Sequence, residues 1–175
     1  MMQSHNKFAS SDVALYGMFI SVTIVLSYVE SLIPMPFAIP GIKLGLANVV
    51  IIWLLYSMGI KAAIIVSVLR VLLSGFLFGN LFSIVFSMVG AALSLTVMIL
   101  LKKFTKLSTV GVSIAGAVMH NVGQIIVAII VLENGLVVYY LPYLIISGIV
   151  SGILIGILGS ILYKKIKILQ TNVHM

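Results

Sequence analysis

The chain has 175 residues, of which 62% are hydrophobic and only 7% charged, with a mean hydropathy of +1.33 and a formal net charge of +7. A soluble domain needs about 25% charged residues to cover its surface, so ten basic and three acidic side chains exclude a water-facing globule and make lipid the main solvent. The basic residues cluster at helix ends, where anionic lipid accounts for them without a nucleic-acid partner, and the lack of cysteine excludes disulfides and thiolate metal sites.

At roughly 20 apolar residues per crossing, the length allows about six crossings and no separate soluble domain. The expected class is an all-α polytopic membrane protein: a cytoplasmic tail over 1–12, a six-helix transmembrane domain over 13–163 and a basic cytoplasmic tail over 164–175. The first apolar run is too long for a cleavable signal and lacks a small-residue cleavage site, so it reads as a first membrane helix. That helix runs from about Val13 to Ile33 and carries Glu30 near its far end. Pro34, Pro36 and Pro40 then favour extended or turn backbone. The second helix is predicted over Ile42 to Met58, the third over Ala62 to Phe78, and the fourth over Leu81 to Leu101. A basic loop with Lys102, Lys103 and Lys106 leads to a fifth helix over Thr109 to Leu132. The sixth spans Val138 to Tyr163 and ends at Lys164, Lys165 and Lys167.

The positive-inside rule orients the chain in the cell membrane with both termini in the cytoplasm. That choice puts Lys7, Lys61, Lys102, Lys103, Lys106, Lys164, Lys165 and Lys167 on one side, with Lys43 alone opposite and Arg70 inside a helix. Small residues recur every fourth position as Gly148, Gly152 and Gly156 in the sixth helix, more weakly as Ser83, Ser87 and Ala91 in the fourth, and as Gly17 and Ser21 in the first. Such stripes let helices approach closely in lipid. They serve either packing inside the chain or docking of a partner membrane subunit. No internal repeat is evident, which argues weakly against an inverted-repeat transporter.

Ionisable groups within the hydrocarbon cost roughly 2.5–3.5 kcal/mol on insertion scales and mark functional candidates. Arg70 lies nine residues beyond Lys61, which a 1.5 Å rise puts near the midplane. His120 and Asn121 share that depth, and Gln124 lies one turn on from His120. Asn48 and Lys43 fall at the outer end of the second helix and Glu30 in the outer part of the first. These groups occupy the centre and outer half, which predicts a pocket open outward and closed by apolar packing below. In it, Lys43, Arg70 and His120 suit an anion, while Asn48, Asn121 and Gln124 supply hydrogen bonds. Phe76, Phe78, Phe82 and Trp53 offer walls for an aromatic or isoprenoid body. Other readings stand beside this one: Arg70 as a structural ion pair with Glu30, His120 as a neutral residue bonded to a backbone carbonyl, and Lys43 as a snorkelling lysine. Asp12, Glu30 and Glu133 are far apart in sequence, so the clustered carboxylates of metal–diphosphate chemistry are missing. No phosphate-binding loop is present, and His5, His120 and His174 lack metal-ligand spacing. No metal, cofactor or catalytic residue is expected.

The strings Ile39-Pro40-Gly41-Ile42-Lys43-Leu44-Gly45-Leu46-Ala47-Asn48, Arg70-Val71-Leu72-Leu73-Ser74-Gly75 and Gly116-Ala117-Val118-Met119-His120-Asn121-Val122-Gly123-Gln124 resemble the Gx transporter family, also named heptaprenyl diphosphate synthase component I, over about residues 13–163. That family is similar to the substrate-binding S-components of energy-coupling-factor transporters. The resemblance implies an S-component-like bundle that takes up a small anionic, amphiphilic cofactor precursor related to quinones or isoprenoids. Its partners would be a coupling membrane subunit and ATPases. S-components often carry Ala-x-x-x-Ala in the first helix for docking; here the position is Gly17-x-x-x-Ser21. The family's second name implies an alternative, a non-catalytic membrane subunit of a prenyl diphosphate synthase. A third is a subunit of a demethylmenaquinone-linked redox complex.

Overall fold

The computed structural model describes the backbone of residues 5–33 and 45–173 and the side chains of residues 13–33 and 45–166; Lys43 and the Pro34–Pro40 segment lie outside them. The described chain is all-helical: α1 (His5–Leu32), α2 (Leu46–Ser57), α3 (Ile60–Phe78), α4 (Leu81–Phe104), α5 (Thr109–Leu132) and α6 (Leu141–Val173), with a 3-10 turn, Gly135–Tyr140, before α6. Helix satisfies every backbone polar group within its own segment, as lipid requires.

The helix boundaries follow local chemistry. Asn80 and Ser83 form a reciprocal capping box that starts α4. Ser108 caps α5 by accepting from Gly111 N–H, and Asn134 caps the 3-10 turn by accepting from Leu136 N–H. α6 begins later than the expected Val138, because that turn intervenes and Pro142 fits the first turn of a helix. α1 and α6 both run on into the segments read as tails, to His5 and Val173, since neither stretch contains a glycine or proline to stop them.

Among the described residues, five segments are long and apolar enough to cross a membrane: Val13–Leu32, Ile60–Phe78, Leu81–Phe104, Thr109–Leu132 and Gly135–Ile166. α2 is the exception, with 12 residues covering about 18 Å at the helical rise. It begins after Gly45, whose left-handed φ of 74° suits glycine. A short helix is tolerable in a bilayer when protein surrounds it, and α2 buries Ala47, Val49, Val50, Ile51, Ile52, Leu54 and Leu55.

The helices close a ring. α1 packs on α3, α3 on α4, α4 on α5, α5 on α6, α6 on α2, and α2 back on α1 and α3. The α4–α5–α6 side is the tightest. A Cβ on Gly123 would lie 2.9 Å from Gly90 Cα, on Gly152 2.6 Å from Ile114 Cα, and on Gly156 2.6 Å from Val110 Cα. Gly148 likewise meets the Ala117 backbone. The α6 stripe therefore packs against α5 within this chain. Gly17, by contrast, has nothing within 4 Å of its Cβ position, and Gly17 and Ser21 both lie on an exposed face of α1.

The main apolar core joins α2 (Val49, Ile51, Ile52, Leu54, Leu55) to Ala62, Ala63 and Val66 of α3, Leu95 and Met98 of α4, Val112 of α5 and Ile155 of α6. It sits toward the end of the bundle where α3 begins with Lys61 and α4 ends with Lys102 and Lys103. There the Lys102 ammonium donates to Leu55 O and lies 4.9 Å from the Tyr56 ring centre, capping the carbonyl end of α2.

Candidate functional site

At the opposite end, away from these lysines, the ring encloses a cavity of about 290 Å³ to which all six helices contribute. Glu30, Asn48, Arg70, His120, Asn121 and Gln124, chosen by depth in the sequence, all line it. Lys43 lies outside the described residues. Val71 and Ile155 also line the cavity, and through Ile155 its wall merges into the apolar core.

Arg70, in the middle of α3, is only 9% exposed, and its Nε–H has no hydrogen-bond partner. Glu30 is near enough to act on it electrostatically, but no contact ion pair between them forms among the described residues. The Glu30 carboxylate instead accepts the Gly45 N–H at the start of α2. This latch joins α1, otherwise loosely packed, to the buried short helix. Replacing Glu30 by alanine should cost about 1.5–3 kcal/mol, the range for hydrogen bonds to charged groups. Glu30→Gln, which keeps an acceptor, should cost less. Thermal unfolding in detergent measures both, and an unchanged midpoint for the alanine variant would show that the latch carries no stability.

Gln124 is as buried as Arg70, and its Oε1 has no partner. Asn121 Nδ2 donates to Leu144 O at 2.6 Å, so one arm of that amide ties α5 to α6. His120 packs against α4, where a Cβ on Gly90 would come within 3.0 Å of its Nδ1. Glycine at position 90 makes room for the imidazole.

Two features of the wall differ from the sequence reading. Among the described residues, the aromatic lining is reduced to Phe78, whose ring lies 5.1 Å from that of Tyr28. Phe76 and Phe82 point outward at 75% and 63% exposure. Trp53 packs on Phe19 and lines a separate cavity of about 350 Å³ between α1, α2 and α6, with Ser57 and Tyr163. Alternation around a helix decides facing, and only closure of the ring fixes which arc looks inward. In place of aromatics the cavity has hydroxyls: Ser27, Ser31, Ser74, Ser83, Ser87 and Ser151. The signal for some of these was present. Ser83 and Ser87 are spaced i,i+4, a pattern that also describes helix packing. Among the described residues no group of three or more His, Cys, Asp or Glu is placed to hold a metal ion.

A closed ring of apolar helices with a polar chamber among them defines a multi-helix membrane protein with an internal, solute-sized site. The chain belongs to the heptaprenyl diphosphate synthase component I family, whose model matches residues 19–162. That description names a component of a synthase, not a complete one. No curated protein and no solved structure matches the chain.

Proposed function

We propose that the chain is the substrate-binding membrane subunit of an uptake system, capturing a small anionic solute in the central cavity. The observation that carries this reading is Arg70: a nine-tenths-buried guanidinium with an unsatisfied Nε–H, facing a chamber shared by every helix. A buried cation without a hydrogen-bonded counter-ion is costly, and a bound anion relieves that cost.

With the lysine-rich end in the cytoplasm, as the positive-inside rule prescribes, the cavity lies toward the outside and the apolar core below it blocks passage. The chain has no nucleotide-binding loop, so transport calls for a coupling membrane subunit and ATPases. The exposed Gly17–Ser21 face of α1 is the surface offered for docking; Gly148, Gly152 and Gly156 are engaged by α5. The test is uptake by cells with and without the partner ATPases. Accumulation that persists without them would contradict the reading.

The family description favours a second reading, a non-catalytic membrane subunit that gives a soluble prenyl diphosphate synthase access to the lipid phase. It predicts co-purification with a carboxylate-rich synthase and a rise in synthase activity on reconstitution. Absence of both removes it.

A further inference from the structure

The polar groups around the cavity specify what kind of anion it accepts; the inference rests on the capture reading above. Arg70 is the only arginine or lysine among the described residues lining the cavity. The remaining polar wall carries acceptors alongside the amide donors of Asn48 and Asn121. Gln124 Oε1 is buried and has no donor. The Ser31, Ser74, Ser83 and Ser151 hydroxyls donate to Tyr28 O, Val71 O, Asn80 O and Gly148 O of their own or adjoining turns. A hydroxyl that has given its proton to a backbone carbonyl presents lone pairs to whatever else it meets. Glu30 adds a carboxylate on the same wall.

One buried cation sharing a cavity with the unpartnered Gln124 Oε1 and these hydroxyl oxygens is complementary to a molecule that is anionic at one end and carries N–H groups at the other. A polyprenyl chain offers these acceptors nothing, and leaving a buried polar group unsatisfied is costly. Among the described residues, Phe78 is the one phenylalanine, tyrosine or tryptophan in the lining. We propose that the site takes a compact amino-carboxylate, with the carboxylate on Arg70 and the amino group on Gln124 Oε1 and the neighbouring serine oxygens.

The experiment uses the full-length protein in lipid nanodiscs and calorimetric titration. The probes are straight-chain carboxylates from acetate to hexanoate, the matching ω-amino acids from glycine upward, and geranyl diphosphate. At the best chain length the amino acid should bind about tenfold more tightly than its parent carboxylate, the effect of one added hydrogen bond in a buried site. Gln124→Leu should erase that preference, and Gln124→Glu, which keeps acceptor oxygens and checks that the position tolerates change, should retain it. No preference at any length, a preference that survives Gln124→Leu, geranyl diphosphate binding tightest, or no probe binding would each overturn the inference. The capture reading fails separately. Where the amino group adds nothing, parent carboxylates that bind wild type but not Arg70→Met leave capture standing without the donor requirement, whereas equal binding to wild type and Arg70→Met removes both.

Discussion

Replacing Arg70 by methionine is expected to weaken binding of the captured anion by about 2–5 kcal/mol, the usual loss when one partner of a buried, hydrogen-bonded charge pair is truncated. That corresponds to roughly 30- to 5,000-fold in Kd. The same substitution should leave the thermal midpoint unchanged or raise it. A structural ion pair would behave oppositely, because removing one partner strands the other at a cost of about 3–5 kcal/mol. Here Glu30 has its own partner in Gly45 N–H, and Arg70 Nε has none, so no buried carboxylate is stranded. Methionine fills similar volume without a charge to desolvate. The divergence of affinity and stability is the signature sought, and titration calorimetry with thermal unfolding reads both. Parallel losses would make Arg70 a structural residue.

The largest effect on stability is expected at Gly152. Its Cβ position lies 2.6 Å from Ile114 Cα, 3.1 Å from Ile114 N and 3.2 Å from Ser113 O, all backbone atoms that cannot swing aside. Leucine there must separate α5 from α6, at or beyond the upper end of the roughly 1–3 kcal/mol typical of overpacking. Because α5 carries His120, Asn121 and Gln124, ligand binding should fall with the fold. Gly17→Leu is the matched control: nothing lies within 4 Å of that position, so its midpoint should stay at the wild-type value. If α1 docks the coupling subunit through this face, Gly17→Leu protein should be stable yet fail to co-purify with that subunit. A midpoint for Gly152→Leu equal to wild type would contradict the α5–α6 packing described here.

Much of this architecture was legible because lipid imposes strict rules. Apolar runs bounded by lysine, glycine or asparagine gave the helices, and α5 coincides with its expected bounds, Thr109–Leu132. Depth along each helix was readable from residue rise alone. It grouped Glu30, Lys43, Asn48, Arg70, His120, Asn121 and Gln124, and all but Lys43, which lies outside the described residues, line one cavity. Rotation was not readable. A helix position states how deep a side chain sits, while the ring order α1–α3–α4–α5–α6–α2 decides which arc faces inward. That is why Phe76 and Phe82 turn outward and why Ser83 and Ser87 line the chamber; Trp53 misses the chamber by depth instead, lying near the C-terminus of α2 with Ser57 and Tyr163. The shortness of α2 has a different origin. Its Ile42 start was expected from hydropathy alone, which does not register the left-handed turn at Gly45 or the latch from Glu30 fifteen residues earlier.

The Glu30 latch also bears on how the site is built. α1 contributes few buried residues, only 6% of its apolar window, yet it delivers Ser27, Glu30 and Ser31 to the cavity. Its place is set by the contacts with α2 and α3, by the Tyr28–Phe78 ring contact and by the carboxylate held at Gly45. The most weakly packed helix therefore both forms a wall of the chamber and carries the face proposed for docking. Under the proposed reading, capture and partner association would share this one helix.

The central claim, that the helix ring is a receptor for a small solute, is tested most directly by native mass spectrometry of the protein extracted from its own membranes with lipids and partners retained. The account predicts one small-molecule adduct per chain, present in wild type and absent from Arg70→Met protein of equal stability. A chain that carries no such adduct, or one whose adduct is unchanged by Arg70→Met, would contradict it.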